Sequence, residues 1–221
     1  MTRFFDIFFS LAAIVFFSPL LLIIILILKL TGEGEIFYSQ TRVGKNGVNF
    51  KVIKFATMLK NSENIGSGTV TVHNDPRILP LGKFLRNSKI NELPQLLNIL
   101  LGDMSIIGPR PQTQRCYDAF SKEVQSAIST VRPGLSGIGS IIFSKEEAML
   151  KDVKSLEIYD EIIAPYKGDL EIWYTENNNL LNYFVLIIST IVAVIFGTTK
   201  FLNYLFPNLP VPSKQAKELL K

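Results

Sequence analysis

From Ile7 to Leu28 the chain carries no charged residue. The run is long enough to cross a bilayer, which takes about 20 apolar residues in a helix. Any fold must therefore accommodate a long apolar helix near the N-terminus. Three placements compete: a straight spanning helix, a cleaved signal peptide, and a broken helix that enters and leaves the same leaflet. The signal peptide is disfavoured, because Arg3 gives a thin basic start, Asp6 adjoins the apolar core and no small-x-small site precedes Lys29. Ser18-Pro19 stands in the middle of the run. Proline removes a backbone donor and clashes with the carbonyl four residues earlier, so a kink is predicted there. Ser18 can bond the freed carbonyl, which lowers the cost of a bend in lipid. These grounds do not separate a kinked span from a re-entrant hairpin. Lys29, Arg42 and Lys45 outweigh Arg3, which places the main domain in the cytoplasm.

Of the 221 residues, 48% are apolar, ordinary for a globular protein. Mean hydropathy is nevertheless +0.28, because the apolar residues cluster at the two ends. A net charge of +4 invites nucleic acid, an anionic membrane face or phosphate-bearing substrates as partners. Nucleic acid is set aside: no long Lys/Arg run and no nucleic-acid motif occurs. The lone Cys116 excludes an intramolecular disulfide and reads as a small residue in a polar helix. A single histidine, His73, excludes multi-histidine metal sites and reads as a solvated loop residue.

The overall pattern predicts an α+β chain, mostly helical, with one small β-hairpin and a kinked hydrophobic helix at the N-terminus. Ile36-Phe37-Tyr38 and Asn49–Phe55 flank Gly44-Lys45-Asn46-Gly47, and Asn-Gly is a strong hairpin signal. Glu63 to Asp75 is a polar loop. Leu81 to Leu101 is helical by periodicity, with a bend or a second helix starting near Asn91 and Pro94 in its first turn. One helix is predicted over 112–129. Lys145 to Tyr174 reads as mostly helical, and Leu180 to Phe196 as an apolar helix, short for a span, lying in the interface or packed on the N-terminal segment. After Phe206 an irregular tail leads to a short polar helix. The segments divide as 1–31, membrane-embedded helix-break-helix; 32–179, the main, cytoplasmic domain; and 180–221, interfacial helix and tail of the same domain.

Chemistry concentrates between Lys54 and Gly134. Arg110 is fixed in Gly108-Pro109-Arg110-Pro111 and Arg132 in Arg132-Pro133-Gly134, rigid loops that display guanidinium groups. Arg86, Arg110, Arg132 and Lys54 converging near a carboxylate would suit a pyrophosphate, because arginine grips phosphate oxygens in a bidentate manner. Two carboxylates, Glu92 and Asp103, could hold Mg²⁺, which takes carboxylate plus phosphate oxygens and water. Taken singly, each has a plainer account: a surface arginine, a helix-start carboxylate, a turn aspartate.

Residues 36–137 resemble the bacterial sugar transferases, the monotopic polyprenyl-phosphate sugar-1-phosphate transferases that initiate surface-glycan synthesis. The likeness rests on Gln40-Thr41-Arg42-Val43-Gly44, Lys54-Phe55-Ala56-Thr57-Met58, Leu81–Arg86, Asn91-Glu92-Leu93-Pro94-Gln95-Leu96, Gly102-Asp103-Met104-Ser105 through Pro111, and Arg132-Pro133-Gly134, in order and spacing. The apolar N-terminal segment with central Ser18-Pro19, the membrane helix break, also fits. The resemblance implies a monotopic membrane protein with a re-entrant N-terminal helix, a catalytic domain over 32–179 with its site at the inner (cytoplasmic) membrane of a bacterium, facing the cytoplasm, and Mg²⁺ as cofactor. It further implies a nucleotide sugar, usually a UDP-sugar, as donor and undecaprenyl phosphate as acceptor, with UMP released. Lys54, Arg86, Asp103, Arg110, Pro111 and Arg132 are the implied phosphate- and substrate-binding residues, Asn91 and Glu92 the catalytic pair, and Glu92 the metal ligand. A homodimer is kept among the candidate partners.

Where the family carries Asp-Glu, with the aspartate as nucleophile, this sequence has Asn91-Glu92, and Ala56 replaces a usual cation. An amide is a far weaker nucleophile than a carboxylate. Three readings stay open: an active enzyme with a relocated nucleophile or direct transfer, an introduced substitution, or a non-catalytic membrane-bound relative acting as scaffold or polyprenyl-phosphate binder. The sugar is not legible; segment 140–154 is a candidate for its recognition.

Overall fold

The computed structural model describes residues 2–65, 71, 74–149 and 155–220. His73 and part of segment 140–154 therefore lie outside the described residues. Helix α1 (Thr2–Leu30, 29 residues) runs through Pro19 without interruption. The carbonyl orphaned by Pro19 belongs to Val15, and Ser18 Oγ donates to it at 2.8 Å. With that acceptor satisfied, the expected helix-break-helix is one helix in its hydrogen-bonding pattern.

Strands β1 (Phe37–Val43) and β2 (Asn49–Phe55) form an antiparallel hairpin, in register from Phe37 opposite Phe55 to Val43 opposite Asn49. Its connection uses the predicted Asn-Gly: Asn46 and Gly47 both take positive φ, 57° and 72°. The other edge of β2 is closed by one buried side chain. Asn98 Nδ2 donates to the Lys51 carbonyl at 2.8 Å, and the Ile53 N–H donates to Asn98 Oδ1 at 3.0 Å.

Helix α2 (Pro80–Asn87) begins on proline, and a 3₁₀ turn (Ile90–Glu92) leads into α3 (Gln95–Leu101), capped by Pro94 and ended by Gly102 at φ 100°. Sequence and structure agree here on two helices divided near Asn91. The expected helix over 112–129 is instead two, α4 (Gln114–Asp118) and α5 (Lys122–Ser129). Thr113 and Ser121 each accept a backbone N–H at a helix start, so two separate caps are favoured over one continuous helix.

The two Pro/Gly loops proved to be joined. Strand β3 (Ser105–Ile107) pairs in parallel with β4 (Gly134–Ser136). Gly108 crosses the partner chain so closely that a Cβ on Gly134 would sit 2.1 Å from the Gly108 nitrogen. Then come α6 (Ile138–Ile142), α7 (Glu146–Met149) and α8 (Ser155–Ile158). A π-helical turn at Tyr159–Ile163 leads into α9 (Ala164–Glu176). Helix α10 spans Leu180–Phe196, and the tail ends in α11 (Leu202–Leu205) and α12 (Lys214–Leu219).

Helix α1 is attached along its length. At its start Arg3 donates to the carbonyls of Ile99 and Leu100, the open C-terminal end of α3. Asp6, 2% exposed, accepts from Ser105 Oγ, the Ile106 N–H and Tyr183 Oη, each at 2.9 Å. Ala13 and Ile14 pack on Val52, Leu96, Ile99 and Met104, while Ile24 and Leu28 are buried with Phe55 and Leu85. Phe184 of α10 closes on Phe5 and Phe9. The opposite face, with Phe8, Leu11, Val15, Phe16, Leu22 and Leu26, is exposed.

Asp6→Ala strands two hydroxyls and one backbone N–H in the interior. It is expected to cost about 3 kcal/mol or more, with Asp6→Asn costing less because one acceptor remains. Thermal unfolding in detergent reads this, and unchanged melting of Asp6→Ala would refute the clamp.

Candidate functional site

Three elements deliver the polar centre. β2 carries Lys54, the 3₁₀ turn carries Asn91 and Glu92, and the loop after β3 carries Arg110. Lys89, at φ 59°, turns the chain from α2 into the 3₁₀ turn. Glu92 is held from two sides: Lys54 Nζ lies 2.9 Å from Oε1, and Arg110 spans both oxygens at 2.7 and 3.4 Å. Asn91 is buried, and its Oδ1 has no hydrogen-bond partner among the described residues.

This packing of like and unlike charges displaces several ionisations. Burial pushes the Glu92 carboxyl up, but Arg110 and Lys54 together outweigh it and hold the group well below the usual carboxylate range. Burial lowers Lys54 to about 8, Arg110 and Arg42 adding to the drop and Glu92 opposing it. Arg42 falls to about 10, through burial first and Arg110 second. Four groups thus share one small volume with more positive than negative charge, a setting that favours an incoming anion.

These residues line a cavity of about 960 Å³. Arg86 lies on its wall, donating to Thr71 Oγ1 at 3.0 Å. Tyr38, Gln40 and Arg42, the half-buried alternate positions of β1, line it together with Phe37 and Ser39. Cys116, Ser140, Ser144, Glu146, Tyr159 and Lys167 also line it. There Lys167, 2% exposed, pairs with Glu146 at 2.6 Å and sits over the rings of Phe143 and Tyr159.

Not every expected residue reaches this centre. Asp103 follows the α3 cap, accepts from Asn98 Nδ2 at 3.4 Å and does not line the cavity. Arg132 is exposed and donates to the Gly102 carbonyl at 2.8 Å, so it buttresses the α3–β3 turn. Pro111 offers its carbonyl to Arg42 at 3.3 Å. Ser18 and Pro19 lie within α1, away from the cavity lining. Asp75 and Arg77, in the polar stretch that follows His73, form a buried ion pair.

Sequence reasoning missed Arg42 as a site residue, although strand alternation could have found it. It also missed Glu171, for which no local pattern exists. Glu171 is 1% exposed, and its Oε1 receives the Arg110 backbone N–H at 3.5 Å. Burial raises its carboxyl to about 7, with Lys167 and Arg110 opposing. Below pH 4.5 the group is neutral folded or unfolded. Between 4.5 and 7 only the unfolded chain ionises, so stability should fall by on the order of 3 kcal/mol as pH rises through that window. Glu171→Gln should remove that part of the slope in denaturant titrations at pH 4.5 and 7; equal slopes in both proteins would reject the assignment.

The profile of the family described as "Bacterial sugar transferase" matches residues 1–197. The chain is 40% identical over 139 residues to the UDP-N-acetylgalactosamine-undecaprenyl-phosphate N-acetylgalactosaminephosphotransferase of Aeromonas hydrophila, covering 62% of this chain and 33% of that protein. It is 39% identical over 145 residues to the exopolysaccharide production protein PSS of Rhizobium leguminosarum bv. phaseoli, covering 63% of this chain and 72% of that protein. With the UDP-glucose:undecaprenyl-phosphate glucose-1-phosphate transferase of Escherichia coli K12 it shares 34% over 159 residues, 71% of this chain and 34% of that protein. The chain thus spans about a third of the Aeromonas and Escherichia proteins. With the match running from α1 through α10 and taking in Lys54, Glu92 and Arg110, the chain belongs to the bacterial sugar transferase family.

Proposed function

We propose that this protein transfers a sugar 1-phosphate from a UDP-sugar to undecaprenyl phosphate at a membrane surface, releasing UMP. The observation that carries the reading is the Lys54–Glu92–Arg110 cluster, with Arg42 and Arg86, in one cavity of a domain bound to a long apolar helix. Arg110 and Lys54 grip the donor's pyrophosphate, and Arg86 reaches it from α2. Glu92 keeps both cations aligned before the donor arrives.

Asn91 supplies an amide N–H to a phosphate oxygen and no nucleophile. Both oxygens of Glu92 are occupied by cations, which also lowers their nucleophilicity. The step that fits is therefore direct. A phosphate oxygen of the acceptor attacks the donor's β-phosphorus, the bond from that phosphorus to the bridging oxygen breaks, and UMP leaves with the bridging oxygen. The lipid-linked sugar diphosphate is the product.

Among the described residues no group of three or more His, Cys, Asp or Glu forms a metal cage. That suits Mg²⁺, which binds through one or two carboxylates, substrate phosphates and water. Once the donor's phosphates draw Lys54 and Arg110 off Glu92, its carboxylate and the unpartnered Asn91 Oδ1 are the protein oxygens that would hold it. When bound, the ion neutralises charge on the pyrophosphate.

The attachment of α1 supports a monotopic placement. Its 29 residues extend about 44 Å as a helix. Both ends nevertheless pack on the same domain, through Arg3 and Asp6 at one end and Ile24 and Leu28 at the other. A helix so attached lies along the domain with its apolar face in one leaflet, and we place the cavity on the cytoplasmic side.

UMP release from UDP-sugars with undecaprenyl phosphate and Mg²⁺ tests the reading. Arg110→Ala and Glu92→Gln should each lose roughly 100-fold or more in kcat/KM. Wild-type rates in both would mean the site is elsewhere. Intact mass should show no sugar-phosphate adduct on the chain itself and one on Asn91→Asp. If the chain binds substrates without turnover while Asn91→Asp turns over, the non-catalytic reading replaces this one.

Lys54 also sets a pH dependence. With its ammonium lost above about 8, kcat/KM for the donor should fall as pH rises through that value. Lys54→Arg, which stays charged, should flatten the profile over pH 7–9. An unchanged fall in Lys54→Arg would assign the ionisation to another group.

A further inference from the structure

The cavity holds a second polar group of residues that the proposed reaction does not use. Lys167 Nζ of α9 lies 2.6 Å from Glu146 Oε2 of α7. The lysine is buried, whereas the Glu146 side chain is 25% exposed, so the ammonium backs the carboxylate and Glu146 meets the cavity. Its Oε1 has no hydrogen-bond partner among the described residues. Ser140 of α6 lines the same cavity, and its buried Oγ is likewise without a partner among the described residues. Close packing fixes these groups relative to one another. Helix α6 approaches α9 so nearly that a Cβ on Gly139 would sit 2.5 Å from Glu171 Oε1. Glu171 stands one turn after Lys167 and also receives the Arg110 N–H, so a single carboxylate ties this region to the loop that carries Arg110. The π-helical turn at Tyr159–Ile163 directly precedes α9. Such turns are rare and occur often at functional sites, and here Tyr159 of the turn and Lys167 of the helix both line the cavity.

We infer that Glu146 and Ser140 read the sugar ring of the donor, Glu146 accepting from ring hydroxyls and Ser140 bonding a further ring substituent, with Lys167 as the positioning residue that aims Glu146. The ligand class follows from the groups. A neutral polyol brings hydroxyl donors, which a fixed carboxylate accepts strongly. A phosphate is repelled by Glu146 and is met by the cation cluster instead. The uracil edge shows two carbonyl oxygens, which a carboxylate also repels. This inference rests on the proposed transferase reading and adds the place where the identity of the sugar is read.

Binding, rather than turnover, tests it. The full chain in lipid nanodiscs, with Mg²⁺ and no acceptor, is titrated calorimetrically with UDP and with the UDP conjugates of glucose, galactose, N-acetylglucosamine and N-acetylgalactosamine. Wild type should bind one conjugate more tightly than UDP. Glu146→Gln should weaken that conjugate roughly tenfold, the factor for exchanging a charged acceptor for a neutral one, and leave UDP unchanged. Ser140→Ala is the sharper probe. Its Oγ has no partner to lose, so the melting temperature should hold or rise while affinity for the conjugate falls several-fold. Lys167→Met should weaken the conjugate as Glu146→Gln does and add little in the double variant, a non-additivity that a lysine serving the fold alone would not show. Equal losses for UDP and the conjugate would overturn the inference, as would unchanged conjugate affinity in both Glu146→Gln and Ser140→Ala, or a wild type that binds every conjugate no better than UDP. Each of these leaves the donor site standing. A wild type that binds neither UDP nor any conjugate would remove the donor reading and the inference together.

Discussion

Burying a carboxylate costs several kcal/mol unless its lone pairs are filled, and Asp6 fills its own with donors from two distant elements. Ser105 and Ile106 belong to β3, Tyr183 to α10. Much of the site's geometry follows from that clamp. β3 is aligned with β4 by Ser105–Pro133 and Gly108–Ser136 hydrogen bonds, and the Gly134 N–H returns to the Pro109 carbonyl. That crossing fixes the loop carrying Arg110, which in turn fixes Glu92 and, through it, Lys54. The buried Asp6 within a mostly apolar helix is therefore explained by architecture: it is the point where α1 and the loop framework carrying Arg110 are joined.

The elements visible in the sequence were those with local causes. Asn46-Gly47 takes the two positive φ values a tight hairpin turn needs, and Pro80 and Pro94 mark helix starts because proline lacks only a donor that a first turn does not use. The 17-residue span of α10 follows from composition alone. What stayed hidden depends on contacts between distant residues. The β3–β4 pair is three residues per strand, too short for periodicity, and exists because two glycines let the backbones touch. The π-helical turn at Tyr159–Ile163 has no signature in its residues.

The site was legible in the same uneven way. Lys54, Glu92, Arg86 and Arg110 share the cavity, whereas Asp103 and Arg132 sit behind it and shape the turn between α3 and β3. Motif membership does not distinguish a residue that meets a phosphate from one that holds the loop in place. Arg42 was named within the Gln40–Gly44 motif but not as a site residue, because the motif alone does not show which of its side chains faces the cavity. Glu171 was overlooked because burial of an acid far along the chain leaves no local trace.

The attachment of α1 has a consequence for how the protein is made. Its first turn bonds partners 99 and 177 residues further along the chain. When this apolar segment leaves the ribosome, Ser105 and Tyr183 do not yet exist. Asp6 stays without these partners, and the helix free to reorient, until α10 has been synthesised. The placement of α1 is thus provisional until the chain is complete, and the slow, non-local closing of that contact separates formation of the helix from assembly of a working enzyme.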